Sequence, residues 1–580
     1  MSISSHIFPD QWKLANVIPL YKKKDPNHIE NYRPVSLLSN IGKVLERVIF
    51  NRLYSHCKEN NLLTWHNSGF KKCDSTINQL TYIVHELHQC LDNNEDACMV
   101  FLDASKAFDR IWPMGLIHKL RKFGVDGDIL AWLVSYLENR EIQVTLEGST
   151  SLKRQLTAGV PQGSILAPLL FLIYTDDIIN NLQCNPFLYA DDTALMLPID
   201  RINPDYSLDM INRDLKRLST WAEQWFMSYN PSKTVYMIIS NKKDKLKYPS
   251  PTMNNVPLTE VNQHKHLGLI LTSNLSWGNH IDHAINKTNK VIGKMWQLNK
   301  HIPRISLENI YLTFARPILE FGSTIYDNCS ANLSKRLEQT QRKAALACTR
   351  AYAHTSHERL LAELGWEKLA LRRSCQKLTM FHKILNSETP PYLRRLVPTP
   401  TNRGPRLRNR NEIPIIKTRL VSFEKSYIPS TTKSWNSLDE TIRQQQSVSS
   451  FKAAVRALLF KNRRLSLYST GYGNGQINHA RMRMGLSGLN EHRHRYNFIE
   501  NGLCDYCTNQ IEDTNHYLLQ CPRFNTPRQS LLHDLSLVPN LDITTLNVNI
   551  LLHGSDNNNV DNRELFSVVQ KFIARTQRFM

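Results

Sequence analysis

At 580 residues, with 41% apolar and 21% charged side chains, the chain has the composition of a folded protein of several domains and excludes an intrinsically disordered one. A net charge of +21 and a pI near 9.4 point to a polyanionic partner, nucleic acid or an anionic membrane surface. The membrane is the poorer choice: the most apolar stretch, Leu166 to Ile173, is far too short to span a bilayer, the first residues lack the segments of a signal peptide, and eleven mostly scattered cysteines predict reduced thiols in an intracellular protein.

In chain order, Trp12 to Lys24 predicts a short strand ending in three lysines, which leads through Asn31-Tyr32-Arg33-Pro34-Val35-Ser36-Leu37-Leu38 into a helix from Ile41 to Leu53. Lys22, Lys23, Lys24 and Arg33 suit phosphate contacts, and suit a solvated basic face equally well. Ile77, Leu80, Ile83, Val84 and Leu87 recur at helical spacing and predict a core helix. The apolar run Ala97 to Leu102 predicts a buried strand with Asp103 at its end, where an aspartate also serves as a helix N-cap. A tight turn from Ala104 to Asp109 opens a helix over Met114 to Lys122. Gln143 to Leu146 and Ser151 to Leu156 then read as two strands about the turn Glu147-Gly148-Ser149.

Gly159-Val160-Pro161-Gln162-Gly163-Ser164 is a glycine-rich turn leading into a long apolar helix from Leu166 to Leu182. Its glycines permit positive φ and close backbone approach, which suits a flat ligand and also a plain loop-to-helix junction. Phe187-Leu188-Tyr189-Ala190-Asp191-Asp192, followed by Ala194 to Leu197, predicts a β-hairpin whose turn holds two adjacent carboxylates. In bulk water such a pair is ordinary turn chemistry; drawn out of water it needs a hard cation with oxygen ligands, Mg2+ foremost. Leu208, Ile211, Leu215, Leu218, Trp221 and Trp225 define an amphipathic helix, with both tryptophans expected in the core. Asn230-Pro231-Ser232-Lys233-Thr234 then turns into a strand from Val235 to Ile239.

The order strand, helix, glycine turn with helix, hairpin, helix, strand is a βαββαβ pattern like the split ferredoxin-like unit. In that unit the end of the first strand lies beside the hairpin turn, so Asp103, Asp191 and Asp192 are expected to converge. Three carboxylates at one point suit two divalent ions roughly 3.5–4 Å apart, one activating an attacking oxygen and one stabilising a leaving oxygen.

At these residues the chain resembles the reverse transcriptases of non-LTR (LINE-type) retrotransposons. FLDASKAFD (101–109) is similar to the family's motif A, GVPQGSILAPLLF (159–171) to motif B and FLYADD (187–192) to motif C. Residues 12–38, with YRPVSLL, resemble the finger motifs, SYNPSKT (228–234) motif D and HKHLGLIL (264–271) the primer grip. The resemblance implies an α+β right-hand polymerase: a ferredoxin-like palm with fingers over 1–272, a helical thumb and connection over 273–395, a basic linker over 396–470, and a C-terminal region over 471–580 with a small zinc-binding module near 500–525. It implies an RNA-directed DNA polymerase that extends a DNA primer on an RNA template with dNTPs, using Mg2+ or Mn2+ held by Asp103, Asp191 and Asp192. Phe108 matches the bulky residue under the sugar that excludes a 2′-hydroxyl. Gln162 and Gly163 would border the nucleotide and templating base, and Arg33, with Lys22 or Lys24, would contact its triphosphate. Lys233 matches a lysine that protonates pyrophosphate, though a solvated lysine serves as well, and His266 and Gly268 sit where the primer end is held.

Farther along, residues 280–390 are helix-rich, with Ile281, Ala284, Ile285, Thr288, Val291, Ile292 and Met295 on one face, and Leu337 to Cys348 resembles stretches downstream of the polymerase in this family. Residues 401–470 hold 14 Lys and Arg against 4 Asp and Glu, including Arg403, Arg406, Arg408 and Arg410, a concentration that favours a nucleic-acid contact. Cys504, Cys507, His516 and Cys521 form C-x2-C-x8-H-x4-C, a donor set for a structural, tetrahedral Zn2+, with the first pair on a knuckle and the second on a helix. The cluster is similar to one at the C-terminal end of many non-LTR polymerases. The family's usual upstream endonuclease has no counterpart before the finger motifs, and residues 370–500 carry no four-carboxylate ribonuclease H pattern, so the sequence reads as a partial copy of an element's reading frame. The alternatives are a non-catalytic RNA-binding remnant and a scaffold for a partner's endonuclease. The expected partners are an RNA template, a DNA primer or target and dNTPs, with no membrane, and the substrate suggests the nucleus.

Overall fold

The computed structural model describes residues 2–22, 25–105, 107–242, 248–399, 412–460, 468, 470–471 and 473–579. Lys23, Lys24, Arg403, Arg406, Arg408 and Arg410 lie outside them. Two compact units form, residues 1–276 with 383–437 and residues 277–382 with 438–580. The sequence suggested linear boundaries at 272, 395 and 470, but the chain returns to the first unit after leaving it. The return is anchored on residues 74–88: Tyr392 donates its hydroxyl to Asp74 Oδ1 at 2.8 Å, and Phe423 packs against His85 and His88.

In the first unit, β1 (Leu14–Tyr21) and β2 (Tyr32–Leu37) form an antiparallel hairpin, and α1 (Asn40–Glu59) follows. Residues 32–37 are thus a strand, where the sequence suggested only a lead into the helix; Pro34 fits because the strand lies at a sheet edge, where one backbone donor is dispensable. α2 (Thr76–Asp92) and β3 (Asp96–Asp103) come next, and β3 is buried along its length up to Asp103. α3 (Pro113–Lys122) agrees with expectation; α4 (Gly127–Leu137), whose apolar residues fill the core beside it, was not anticipated. β4 (Glu141–Leu146) pairs parallel with β1, but the expected strand over 151–156 reduces to two-residue pairings at 149–150 and 154–155, because its side chains are exposed and bury no face. α5 (Ala167–Thr175) ends well short of Leu182, giving way to a 3-10 turn where Asp176 Oδ1 accepts the Thr64 N–H at 2.7 Å and Asp177 pairs with Lys119.

β5 (Asn185–Tyr189) and β6 (Asp192–Ile199) make the hairpin, followed by α6 (Pro204–Gln224) and β7 (Val235–Ile239). The strands lie in the order β7-β3-β6-β5, all antiparallel, which is the order of a split βαββαβ unit, and Thr259–Glu260 extends the β7 edge. Strand alternation assigns the two faces of this sheet. Cys98, Val100 and Leu102 of β3, with Leu195 and Leu197 of β6, pack under Leu208, Ile211, Leu215 and Leu218 of α6. The opposite face carries Phe101 and Asp103. There the hairpin of β8 (Gln263–His266) and β9 (Leu269–Thr272) stacks His264 on Phe101 at 4.1 Å.

In the second unit, α7 (Gly278–Leu298) packs on α8 (Ala331–Thr349), and Ile292, Met295, Tyr311, Leu360 and Trp366 share one core. α9 (Gly473–Arg483) packs on α10 (Asn562–Arg575), and Leu489, Tyr517, Leu518, Leu535 and Phe566 fill a second core. Among the described residues no helix is long and apolar enough to cross a membrane.

Candidate functional site

The antiparallel register sets Asp103, the last residue of β3, directly opposite Asp192, the first of β6. Directly paired residues project to the same face of a sheet, so the two carboxyl groups are neighbours. Asp191 joins them from the two-residue turn between Tyr189 and Asp192, whose other member, Ala190, takes φ +57°. The convergence expected from the sequence is therefore what the fold produces. Asp192 still reaches solvent, yet the protein crowded around its carboxyl and the charges of Asp191 and Asp103 push its pKa up to about 6. Three carboxylates gathered at one point and offering only oxygen donors fit a divalent cation. Lys233 Nζ stands 3.6 Å from Asp103 Oδ2, partly offsetting that charge.

The turn is braced by residues that the sequence reading passed over. Residues 66–69 run alongside β5, with Ser68 N–H donating to Leu188 O at 2.9 Å and Leu188 N–H to His66 O at 3.0 Å. Asn67 Oδ1 accepts from the N–H groups of Gly69 (3.0 Å) and Ala190 (3.3 Å), and Gln79 Nε2 donates to Leu188 O at 2.7 Å. A Cβ on Gly69 would stand 2.4 Å from Ala190 N, so only glycine allows this approach. The Asn-Ser-Gly run at 67–69 is a visible turn signal, but nothing local tells that it braces a hairpin more than a hundred residues away. The end of β3 is braced in turn: Asn230 N–H donates to Asp103 O at 2.9 Å, and Ser105 N–H to Ser228 O at 2.9 Å.

Phe108 is half-buried, stacked on Phe171 at 4.6 Å, with the edge of Phe70 6.0 Å away. The glycine-rich turn lies alongside: Val160 N–H donates to Phe108 O at 3.0 Å, and Gln162 Nε2 to Asp109 Oδ1 at 2.8 Å. Ser36 N–H of β2 donates to Gln162 O at 2.8 Å, and a Cβ on Gly163 (φ +140°) would stand 2.3 Å from Ser36 O. β2 therefore docks on this turn through backbone, and Arg33 is exposed three residues earlier on the same strand. Lys22 is exposed where the β1–β2 hairpin closes, its N–H donating to Asn31 O at 2.8 Å. Glu46, fully buried on α1, was also passed over; its Oε2 accepts the Ser164 hydroxyl and the Ile165 N–H, each at 2.7 Å, tying α1 to the start of α5.

His266 is buried beneath the β8–β9 hairpin against Phe101, and burial pushes its pKa down to about 3, so it is neutral. Leu267 and Gly268 form the turn with φ +44° and +93°, which suits Gly268 as a turn residue.

In the second unit, Cys504, Cys507, His516 and Cys521 bring their donor atoms within 4.8 Å of one another. Cys521 Sγ lies 3.8 Å from the sulfurs of both Cys504 and Cys507, close to the edge of about 3.8 Å that a tetrahedron of thiolates around an ion at about 2.3 Å would have. His516 is buried, and among the described residues neither of its ring nitrogens has a hydrogen-bond partner, as expected of a metal ligand. The knuckle at 504–507 agrees with the sequence reading. The second pair differs from it: His516 opens a π-helical turn and Cys521 caps it, its N–H donating to His516 O at 2.7 Å. Residues five apart fall on different faces of an α-helix, and the wider turn brings them together.

Residues 21–271 match the family described as reverse transcriptase (RNA-dependent DNA polymerase). The chain is 32% identical over 359 residues to the probable RNA-directed DNA polymerase from transposon BS of Drosophila melanogaster, covering 59% of this chain and 39% of that protein. It is 30% identical over 401 residues to that of transposon X-element (67% and 42%) and 30% identical over 332 residues to that of mobile element jockey (55% and 36%), both of the same organism. The chain thus spans less than half the length of these curated relatives. Among solved structures, apo telomerase from Candida Tropicalis is similar at 11% identity and a TM-score of 0.36, over 66% of this chain and 63% of that one, too distant a likeness to carry an argument. Residues 21–271 are a reverse transcriptase domain of the kind carried by the RNA-directed DNA polymerases of non-LTR retrotransposons.

Proposed function

We propose that the chain extends a DNA primer on an RNA template from dNTPs, with the β7-β3-β6-β5 sheet as palm, the β1–β2 hairpin and α1 as part of the fingers, and the helices of residues 273–395, α7 and α8 among them, as thumb and connection. The observation that carries this reading is the pairing of Asp103 with Asp192 beside Asp191. Asp103 and Asp191 would hold Mg2+ or Mn2+, and Asp192 completes the acidic site. The ions, when bound, supply activation of the attacking hydroxyl and neutralisation of the leaving phosphate charge. The protein's own task is positioning and charge complementarity, since templating is delegated to base pairing and no covalent nucleophile is needed.

Phe108, fixed on Phe171, sits at the level of the sugar and disfavours a 2′-hydroxyl. Gln162, oriented by Asp109, and Gly163, seated on β2, border the nucleotide and templating base, while Arg33 and Lys22 face its triphosphate; Lys24 falls outside the described residues. Lys233 is close enough to the acidic cluster to give a proton to departing pyrophosphate. His266 and Gly268 shape the hairpin above the Asp103 face, supporting a primer grip. Cys504, Cys507, His516 and Cys521 would hold Zn2+ with no position open for catalysis, which makes the ion a fold-holding element of a nucleic-acid-contacting module.

The test is extension of a DNA primer on an RNA template with Mg2+, wild type against Asp191→Ala. The expected result is extension by wild type and a loss on the order of 10^3-fold in the variant. Equal activity in both would reject the reading, and activity in neither would favour a non-catalytic RNA-binding remnant.

A further inference from the structure

A cavity of about 510 Å3 opens in the second unit, within the size range of roughly 300–1,000 Å3 typical of small-molecule sites. Its wall is tied to the segment that carries Cys504 and Cys507: Arg578 pairs with Glu512 at 2.5 Å and donates to Asn490 Oδ1 at 3.2 Å, and Asn490 Nδ2 donates to Asp505 Oδ1 at 2.8 Å. Two features of its lining point to a ligand. Aromatic rings gather there: Tyr352 and His354 lie parallel at 5.9 Å, Phe498 is 5.3 Å from His354, and His354 and Phe498 are exposed, Phe498 by 60%. The charge is one-sided, with Arg481, Arg493 and Arg578 in the lining and no carboxylate there among the described residues.

These arginines are not equivalent. Glu512 neutralises Arg578. Arg481 is oriented by the Arg350 carbonyl at 2.8 Å and lies over the Tyr352 ring at 4.3 Å, with no carboxylate among the described residues paired to it. Arg493 is exposed and makes no ion pair among the described residues. Gly488 keeps the floor open, since a Cβ there would come within 3.1 Å of the Phe579 ring. Flat aromatic faces beside uncompensated guanidinium groups are the chemistry that holds an unpaired base and its phosphate, whereas a base inside a duplex stays in its stack and out of reach.

We propose that this cavity takes an unpaired nucleotide of a single-stranded nucleic acid, its base against Tyr352, His354 and Phe498 and its phosphate against Arg481 and Arg493. The proposal rests on the reading of the chain as a nucleic-acid enzyme and adds a second, single-strand site remote in sequence from the aspartates.

The test uses the full chain with excess unlabelled primer–template duplex to fill the polymerase cleft. Labelled single-stranded 12-mers of RNA or DNA, each carrying one photoreactive thiopyrimidine, are crosslinked and the peptides mapped. Binding is then compared with an Arg493→Ala/Phe498→Ala variant, both sites being exposed, and with His354→Ala. The expected result is crosslinking to the peptides around Tyr352 or Phe498 and about tenfold or weaker binding by the double variant. The slope of log affinity against log salt should also become shallower by about 0.7 for the lost phosphate contact. The RNA and DNA arms tell which strand is taken. Crosslinks confined to residues 1–276, or unchanged affinity in both variants, would overturn the proposal. Failure of the wild type to extend a primer would count against the polymerase reading, leaving crosslinking and affinity to decide this one.

Discussion

At the scale of single residues, the acidic site depends on backbone approaches as much as on carboxylates. Gly163 is the sharpest case, because its φ of +140° lies in a region open essentially to glycine and any Cβ would meet the Ser36 carbonyl. Gly163→Ala should therefore cost about 1–3 kcal/mol of stability. It should also lower primer extension more than that loss explains, because β2 must withdraw from the turn that borders the nucleotide; matched denaturation and extension assays check this. The meeting of Asp103 with Asp192 beside Asp191 was legible in the order of strands and turns, whereas Phe108 and Gln162 stand out in the sequence only through the resemblance of their motifs to a family. Asn67, Gly69, Gln79 and Glu46 were not legible, because each acts only through a contact with a segment distant in sequence.

At the scale of elements, the strand order and the helices with strong apolar periodicity were readable, since β3, α6 and β7 declare themselves through runs and spacing. The failures occurred where tertiary partners override local pattern. α5 stops early because Asp176 and Asp177 are taken up by Thr64 and Lys119, and a π turn replaces a helix between His516 and Cys521. Element packing also buries neutral histidines in the first unit. Burial pushes His266 down to about 3 and His85 and His88 to about 4, each from an ordinary value of 6.5. Their folded pKa values lie below the unfolded ones, so their contribution is fully present above pH 6.5 and is lost as pH falls toward 3–4. The loss should be about 1.4 kcal/mol per pH unit for each histidine. Melting of the chain at pH 7 and pH 5 should show the difference, reduced in His266→Phe; an unchanged pH dependence in that variant would refute the assignment.

At the scale of the whole molecule, the second unit is discontinuous in sequence, and a buried ion network joins its pieces. Glu363 accepts from Arg304 at 2.7 Å and from Arg483 at 2.7 and 3.0 Å, and Arg304 also reaches Glu308 at 2.9 Å. Removing the shared acid leaves two buried guanidinium groups short of a partner, so Glu363→Ala should destabilise this unit by about 3–5 kcal/mol in urea unfolding. The network was illegible in the sequence, since its four members are spread from 304 to 483 with no motif.

The account as a whole rests on three aspartates acting together as a seat for divalent ions. The direct measurement is a count of Mn2+ bound by the chain in a complex with an RNA template, a chain-terminated DNA primer and the next dNTP, for wild type and for Asp103→Asn/Asp191→Asn. The account predicts about two ions per wild-type chain beyond those held by nucleotide alone, and their loss in the variant. Equal occupancy in the two proteins would contradict it.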